Sequence, residues 1–305
     1  MTQKLVAILS IALFSSYIYG HTFEIHDGIQ ELDTPTTIED LSVFNNSCVD
    51  YILINDAQND EFKLYTANGI DYMFNGSTFN ELEVGQKFII KASGSCNIEV
   101  EDIITHNELS YKTVTSPYTG RVWLDRNIGA TEACSTSMDQ SNTRCFGDYY
   151  QWGRGTDGHE SDIASTTTVK QTSITNTNRY FVKGSLDWVT VDSGGALRSA
   201  QWSKTNGSSV CPVGYRVPTH DEFIAERSAN NYSFPTDNFL KLPVPGVKTW
   251  HDGTLTNVSY EGKLWTSTPN GSSAYVASYL YNSSSIGIYS TDGISRGNSV
   301  RCIKD

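Results

Sequence analysis

Short segments rich in apolar residues recur in the first third of the chain, with polar or glycine-containing turns between them. Residues 49–54, 61–65 and 87–92 have the composition of strands, and residues 97–101 alternate apolar and polar residues as a half-buried edge strand does. Short strands at this spacing are typical of a β-sandwich. We therefore predict a small all-β, sandwich-like domain over residues 21–108.

An apolar run over residues 5–14 precedes this domain and follows a single positive residue, Lys4. The run is too short for a stable membrane-spanning helix and is typical of a secretory signal peptide. We predict a signal peptide over residues 1–20 that is cleaved after Gly20, with an uncleaved N-terminal anchor as the alternative. The prediction places the protein outside the cytoplasm, secreted or at the cell surface, with no membrane span in the mature chain.

The pattern changes after residues 109–119, a segment with a proline and a Tyr-Thr-Gly turn that we interpret as a linker. All six tryptophans lie beyond it, in the region 120–305. Thr219 followed by Glu222 forms a capping box that predicts the start of a helix. Residues 156–177 lack apolar periodicity and predict a long surface loop.

Charge and cysteine content narrow the class of protein. The 22 basic and 34 acidic side chains give a net charge of −12, which disfavours a nucleic acid partner. The six cysteines lie beyond the predicted signal peptide, and an even number in an exported chain predicts three disulfides among fifteen formal pairings. The sequence has no CxxC pair, so neither a zinc site nor a thioredoxin-type redox motif is indicated.

Five sequence blocks in the second region resemble a known family. They are GRVWLDRNIG at 120–129, GDYYQWG at 147–153, CPVGYRVPT at 211–219, LWTST at 264–268 and SVRCIKD at 299–305. This order resembles the Fibrobacter succinogenes major paralogous domain family over residues 118–305, about three-fifths of the chain. The resemblance implies a C-type-lectin-like fold, related in shape to the formylglycine-generating enzymes. The predicted fold class is thus α+β, mostly strand and loop.

The resemblance and the domain layout together favour three of the possible disulfides, Cys48–Cys96, Cys134–Cys145 and Cys211–Cys302. Strand-like segments at 121–124 and 299–303 are expected to pair and close the second domain. Trp123, Trp152 and Trp265 are interpreted as core residues whose indole N–H groups reach loop carbonyls. Gly147, Gly153 and Gly214 are expected at turns with positive φ.

Enzymatic activity is not expected from this sequence. The formylglycine-generating enzymes need reactive cysteines, and six paired cysteines leave no thiol for that chemistry. The sequence also has no HExxH motif or Ser-His-Asp order. His159, His220 and His251 do not cluster in the sequence, and His220 is interpreted as a surface residue. We predict no catalytic residue and no cofactor, and an oxidase of the formylglycine-generating type is the least favoured alternative.

Calcium-dependent carbohydrate binding is a second alternative, suggested by the fold that the resemblance implies. The calcium-binding signatures of C-type lectins are missing, and Thr268-Pro269-Asn270 lacks the carboxylate that calcium prefers. Asp157, Glu160 and Asp162 are interpreted as solvated loop carboxylates. No metal site is predicted.

The favoured function is metal-independent recognition of a protein or glycan ligand at the cell exterior, including adhesion. Residues 270–298 are rich in Tyr, Ser, Asn and Gly, the residues that antibody binding loops use. The predicted ligand-binding residues are Tyr275, Tyr279, Tyr281, Asn282, Tyr289, Asp292 and Asn298. A variable protein of a diversity-generating retroelement is a further alternative, since such proteins share this fold and vary close to the C-terminus.

Overall fold

The computed structural model describes residues 20–34, 38, 41–44, 47–56, 61–66, 82, 85–175, 177–230, 239–281 and 286–305. The chain forms two compact units, residues 1–103 and 104–305. Strands and loops dominate both, and the described residues include two α-helices, which confirms the mostly-β α+β class. Residues 1–19 of the predicted signal peptide lie outside the described residues. No described helix has the length and apolar character needed to cross a membrane.

The first unit contains six described strands in two antiparallel sheets. The strands are β1 (Gly20–Ile25), β2 (Gly28–Asp33), β3 (Val49–Asp56), β4 (Glu61–Thr66), β5 (Lys87–Ala92) and β6 (Cys96–Glu101). One sheet pairs β1 with β6, and the other has the order β2-β5-β3-β4. A 3-10 turn spans Leu41–Phe44. The sequence predicted strands at the positions of β3, β4, β5 and β6, and the structure confirms all four.

Both sheets of the first unit contribute to one apolar core. Phe23 of β1 contacts Phe88 of β5 edge to face, with ring centroids 5.5 Å apart, and Phe44 packs on the same ring at 5.4 Å. The Cys48–Cys96 disulfide joins the start of β3 to the start of β6. A shared core between two antiparallel sheets is the arrangement of a sandwich.

The second unit is built from many short strands, two helices and ordered loops. Its strands are β7 (Ile104–His106), β8 (Leu109–Tyr111), β9 (Thr113–Thr115), β10 (Val122–Leu124), β11 (Tyr150–Gln151), β12 (Thr166–Thr167), β13 (Phe181–Val182), β14 (Tyr215–Arg216), β15 (Val247–Lys248), β16 (Leu255–Thr256), β17 (Glu261–Asn270), β18 (Ser273–Leu280), β19 (Ile286–Gly293), β20 (Gly297–Asn298) and β21 (Ile303–Lys304). The helices are α1 (Ala196–Trp202) and α2 (His220–Ala229), and Thr143–Cys145 forms a 3-10 turn.

The segment predicted as a linker belongs to this second unit. Residues 109–119 include β8 and β9, and β9 pairs with β10 in antiparallel register. The unit therefore begins at residue 104, ahead of the predicted boundary at residue 120. The strands involved have three residues each, which is too few to produce a recognisable alternation in the sequence.

Pairing between the two ends of the second unit closes it, as the sequence predicted. Trp123 of β10 pairs with Ile303 of β21, in a sheet with the order β14-β21-β10-β9. The Cys211–Cys302 disulfide ties the middle of the unit to its last strand, and Cys134–Cys145 closes a short loop. All three predicted disulfides are present.

The predicted helix is α2, and its capping box is formed. The Thr219 side chain accepts the Glu222 N–H, and the Glu222 carboxylate accepts the Thr219 N–H at 2.8 Å. Glu222 also accepts hydrogen bonds from the guanidinium groups of Arg216 and Arg121, so both of its carboxylate oxygens are hydrogen-bonded. On the inner side of the helix, Glu226 accepts hydrogen bonds from Ser116 at 2.6 Å and from the Trp123 indole at 3.2 Å.

The predicted tryptophans lie in the core. The indole N–H of Trp152 donates to the Thr266 carbonyl at 2.8 Å, and that of Trp265 to the Tyr150 carbonyl at 2.7 Å. Trp123 differs, because its partner is a carboxylate and not a carbonyl. Gly147, Gly153 and Gly214 all have positive φ, between 75° and 81°. The core placement of the three tryptophans and the positive φ of the three glycines are confirmed, but the carbonyl partners of Trp152 and Trp265 lie in strands β17 and β11 and not in loops.

Candidate recognition surface

A buried arginine orders the loop that leads into α1. The Arg198 guanidinium is fully buried and bonds to the carboxylates of Asp187 (2.9 Å) and Asp192 (3.2 Å). It also lies over the rings of Trp152 and Trp188, at 5.4 Å and 5.7 Å. A buried charge is tolerated only when it is paired and hydrogen-bonded, so these contacts hold residues 187–198 in one conformation.

A second buried network orders the loop after β11. Arg154 donates to Asp157 (2.8 Å) and to the Gln151 side-chain oxygen (2.8 Å). His159 is fully buried, and its Nδ1 lies 2.7 Å from Asp157 and 3.2 Å from Glu160. Burial opposes ionisation of Asp157, but the hydrogen bond from His159 and the charge of Arg154 lower its pKa to about 2. The sequence interpretation of Asp157 and Glu160 as solvated carboxylates is therefore wrong.

Asp157, His159 and Glu160 bring their potential metal-ligating atoms within 4.8 Å of one another. However, the Gln151 backbone N–H donates to His159 Nε2 at 3.0 Å, so that nitrogen supplies the lone pair of the neutral ring. Nδ1 then carries the proton and donates it to Asp157. A metal at Nδ1 would displace this proton and leave an imidazolate. The hydrogen bonds thus fit a structural role and do not fit a metal site.

Two groups beside this network have perturbed ionisation. Burial, together with the negative charges of Glu160 and Asp162, raises the pKa of Asp148 to about 7. Burial lowers the pKa of Lys248 to about 8, although the same two carboxylates oppose that shift. The Lys248 ammonium group donates a hydrogen bond to the Ser161 carbonyl at 2.8 Å, so this side chain is bonded to the loop after β11.

Four large aliphatic side chains are exposed between residues 169 and 197, in the loops described above and in the first turn of α1. The exposed fractions are 71% for Val169, 57% for Leu186, 42% for Val191 and 59% for Leu197. The last three each directly precede one of the three charged residues of the Arg198 network, so the backbone that carries each of them is held next to one buried ion-pair network. Large exposed aliphatic side chains on backbone held in this way are candidates for a recognition site.

Val169 belongs to the same cluster by its backbone contacts. The carbonyl of Thr167 accepts a hydrogen bond from the Lys183 N–H at 2.8 Å. The N–H of Gln171 donates one to the Trp188 carbonyl at 2.9 Å. These two partners flank Leu186 along the sequence. The backbone around Val169 is therefore bonded to both sides of the segment that carries Leu186.

The tip of the β17–β18 hairpin borders this cluster. Gly293, which pairs with Ser273, adjoins Leu186, because a Cβ at that glycine would lie 3.7 Å from Leu186 Cδ2. The hairpin tip is polar and exposed at Asn270, Gly271 and Ser272. We use the name loop surface for the aliphatic cluster of Val169, Leu186, Val191 and Leu197 together with its polar rim at residues 270–273. An apolar centre with a polar rim is the usual anatomy of a protein interface.

Three of the predicted ligand-binding residues are buried. Tyr279 donates its hydroxyl to the Pro243 carbonyl at 2.7 Å inside the core. Asp292 is paired with Lys263 (3.1 Å) and Arg296 (2.9 Å), and Asn298 is fully buried. A ligand at the surface does not reach these side chains. The prediction is corrected for Tyr279, Asp292 and Asn298, since all three side chains are buried within the domain.

The other four predicted residues have different placements. Tyr275 is half-buried, and its ring stacks on His220 with centroids 4.1 Å apart and an interplanar angle of 21°. His220 is therefore largely buried, which corrects its interpretation as a surface residue. Tyr281 is half-buried beside the apolar core. Tyr289 lies in β19 with its side chain outside the described part, and Asn282 lies outside the described residues.

Little in the sequence indicates the aliphatic cluster. Isolated Val and Leu residues such as these resemble ordinary surface positions. The available signal was the number of large aliphatic residues between positions 169 and 197. The ion pairs of Arg198 and the backbone hydrogen bonds around Val169 relate these positions, and neither follows from a local sequence pattern.

Comparisons with protein-family models, with curated proteins and with solved structures found no match. The resemblance to the Fibrobacter succinogenes major paralogous domain family therefore remains a prediction from the five sequence blocks.

Proposed function

We propose that this chain is an exported, non-catalytic recognition protein that binds a protein partner through the loop surface. The observation that carries the proposal is the exposure of four aliphatic side chains on backbone that buried ion pairs hold in place. Rigid presentation favours binding because little conformational entropy is lost when the partner docks. The three disulfides are compatible with an extracellular protein.

The ionisable groups in the interior support binding more than catalysis. Arg154, Arg198 and Arg301 are fully buried and bond to carboxylates or to carbonyl and amide oxygens that hold loops together. His159 has both ring nitrogens in hydrogen bonds. All six cysteines form disulfides, so the thiol chemistry of the formylglycine-generating enzymes has no residue to perform it.

The composition of the surface favours protein over glycan as the partner. The centre of the loop surface is aliphatic, whereas sugar sites usually provide an aromatic ring for stacking. The hairpin tip supplies Ser, Asn and Gly at the rim, so part of the predicted Tyr/Ser/Asn-rich region contributes to the proposed site. Calcium-dependent glycan binding and a retroelement variable protein rest on the resemblance alone and stay predictions.

The test compares three single substitutions in the full-length secreted protein. Leu186→Asp and Leu197→Asp place a charge in the loop surface, and Val213→Asp is the control because Val213 is an aliphatic residue outside the loop surface that is also well exposed, at 71%. The immobilised proteins are probed with purified extracellular proteins of the producing cell and with a glycan array.

The proposal predicts a protein ligand whose affinity falls at least about tenfold in the two surface variants, since one buried aliphatic side chain at an interface is worth ~1.5 kcal/mol or more. The control variant keeps the wild-type affinity. A ligand that binds all three variants equally, or binding to glycans alone, contradicts the proposal.

A further inference from the structure

Two Asn-Gly pairs in the described part of the chain are exposed, Asn206-Gly207 and Asn270-Gly271. Asparagine followed by glycine is chemically labile because the glycine nitrogen has no neighbouring side chain to hinder its attack on the asparagine amide. The two pairs differ in their hydrogen bonds and in the backbone that holds them. We therefore expect the two asparagine side chains to react with the following glycine nitrogen at different rates.

The side chain of Asn206 is held in a tight local turn. Its Oδ1 accepts hydrogen bonds from the Ser208 backbone N–H at 3.1 Å and from the Ser208 hydroxyl at 2.7 Å. Such a turn holds the asparagine side chain against its own backbone two residues on. Gly207 has a φ of 78°, and within the described part of the chain its N–H donates to no acceptor.

The two donors from Ser208 point at the atom where charge develops. When a nitrogen attacks the side-chain carbonyl of Asn206, the negative charge of the tetrahedral intermediate appears on Oδ1. Donors that are already in place stabilise such an oxyanion without further rearrangement. The geometry therefore lowers the barrier to attack at Asn206.

We propose that Asn206 is a site of spontaneous deamidation. The Gly207 nitrogen gives its proton to solvent and forms a bond to Cγ of Asn206. The Cγ–Nδ2 bond then breaks, and the nitrogen leaves as ammonia after it takes a proton from water. Water opens the resulting succinimide at either carbonyl, which gives aspartate or isoaspartate at position 206. The loop between α1 and β14 thus gains a negative charge without any enzyme.

Asn270 is the internal comparison. It is the last residue of β17, where it pairs with Ser273, and its carbonyl accepts the Ser273 hydroxyl at 2.9 Å. Closure of a succinimide ring would rotate this backbone and break the pairing across the hairpin. We therefore expect slower deamidation at Asn270 although the dipeptide is the same.

The experiment follows both sites in one sample of the full-length protein. The protein is incubated at mildly alkaline pH and digested, and the Asn206 and Asn270 peptides are quantified by mass spectrometry that separates aspartate from isoaspartate. Ser208→Ala removes the hydroxyl donor beside Asn206 but keeps the backbone donor. Ser272→Ala is the matched control at the equivalent position after Asn270.

We expect Asn206 to convert at least about fivefold faster than Asn270. The Ser208→Ala substitution slows Asn206 about twofold to tenfold, the range for loss of one ordinary hydrogen bond, and Ser272→Ala leaves Asn270 unchanged. Equal rates at the two sites, or an Asn206 rate that does not change in Ser208→Ala, would overturn the proposal.

Discussion

The carboxyl group of Asp148 predicts how the stability of the second unit depends on pH. This carboxyl packs against the backbone of Gly129, where it leaves no room for a side chain, and Oδ2 lies 3.5 Å from the Tyr150 hydroxyl. Burial and the charges of Glu160 and Asp162 raise its pKa from 3.8 to about 7. The folded unit therefore retains a proton on Asp148 at pH values where the unfolded chain has released it.

The sign of the effect follows from proton linkage. Between the unfolded pKa of 3.8 and the folded pKa of about 7, the folded unit binds more protons, so its free energy of unfolding falls as pH rises. The stabilising contribution is complete below the unfolded pKa and is lost above about pH 7. A shift of about three units corresponds to at most ~4 kcal/mol, and we expect ~2 kcal/mol because the side chain is partly exposed.

The perturbation is Asp148→Asn, which keeps the shape of the side chain and removes its titration. Guanidinium unfolding is followed by tryptophan fluorescence, which reports the second unit because all six tryptophans lie there. The free energy of unfolding of the variant, minus that of the wild type, should rise by ~2 kcal/mol from about pH 4 to about pH 8. Asp221→Asn, with a side chain that is 94% exposed, is the control and should show no such gain. A difference between wild type and Asp148→Asn that is the same at both pH values would refute the reasoning.

The remaining predictions concern the buried charges, the disulfides and metals. Arg198→Ala should lower the free energy of unfolding by about 3–5 kcal/mol in guanidinium titrations, because it leaves two carboxylates without their buried partner; a loss below ~1 kcal/mol would show that the network is weak. Replacing Cys211 and Cys302 by alanine should lower the free energy of unfolding by about 4–5 kcal/mol, whereas replacing Cys134 and Cys145 should lower it by about 3 kcal/mol. The first disulfide closes a loop of 91 residues and the second a loop of 11 residues. Equal losses would argue against the loop-entropy explanation. EDTA should leave the melting temperature unchanged, and a rise of several degrees on adding calcium or zinc would contradict the assignment of the His159 hydrogen bonds.

Much of the fold could be predicted because its signals are local. The alternation at 97–101 requires only that neighbouring residues point to opposite faces of a strand, and the structure has a strand there. The capping box at Thr219 depends on residues three apart. The strands β8 and β9 were missed because three-residue strands are defined by their partners and not by their own pattern.

The candidate site could not be predicted, because its residues are assembled across long stretches of sequence. Leu186 illustrates this, since its side chain lies against Gly293, which pairs with Ser273 at the hairpin tip. Tyr279 and Asn298 have the composition of a binding loop, yet strand pairing turns them into the interior. Composition describes what a side chain is able to contact, and burial decides whether a ligand reaches it.

The sequence by itself determined the mostly-β class, the helix start at Thr219 and the number of disulfides. These features follow from strand-like segments, capping and the even cysteine count, whereas the choice of the three pairs also needed the domain layout and the family resemblance. The tertiary structure alone decided that Leu186, Val191 and Leu197 remain exposed and that His159 is buried with both ring nitrogens hydrogen-bonded. The physical reason is that a buried charge such as Arg198 is tolerated only when the fold brings Asp187 and Asp192 into bonding distance, and no local pattern in the sequence specifies that arrangement.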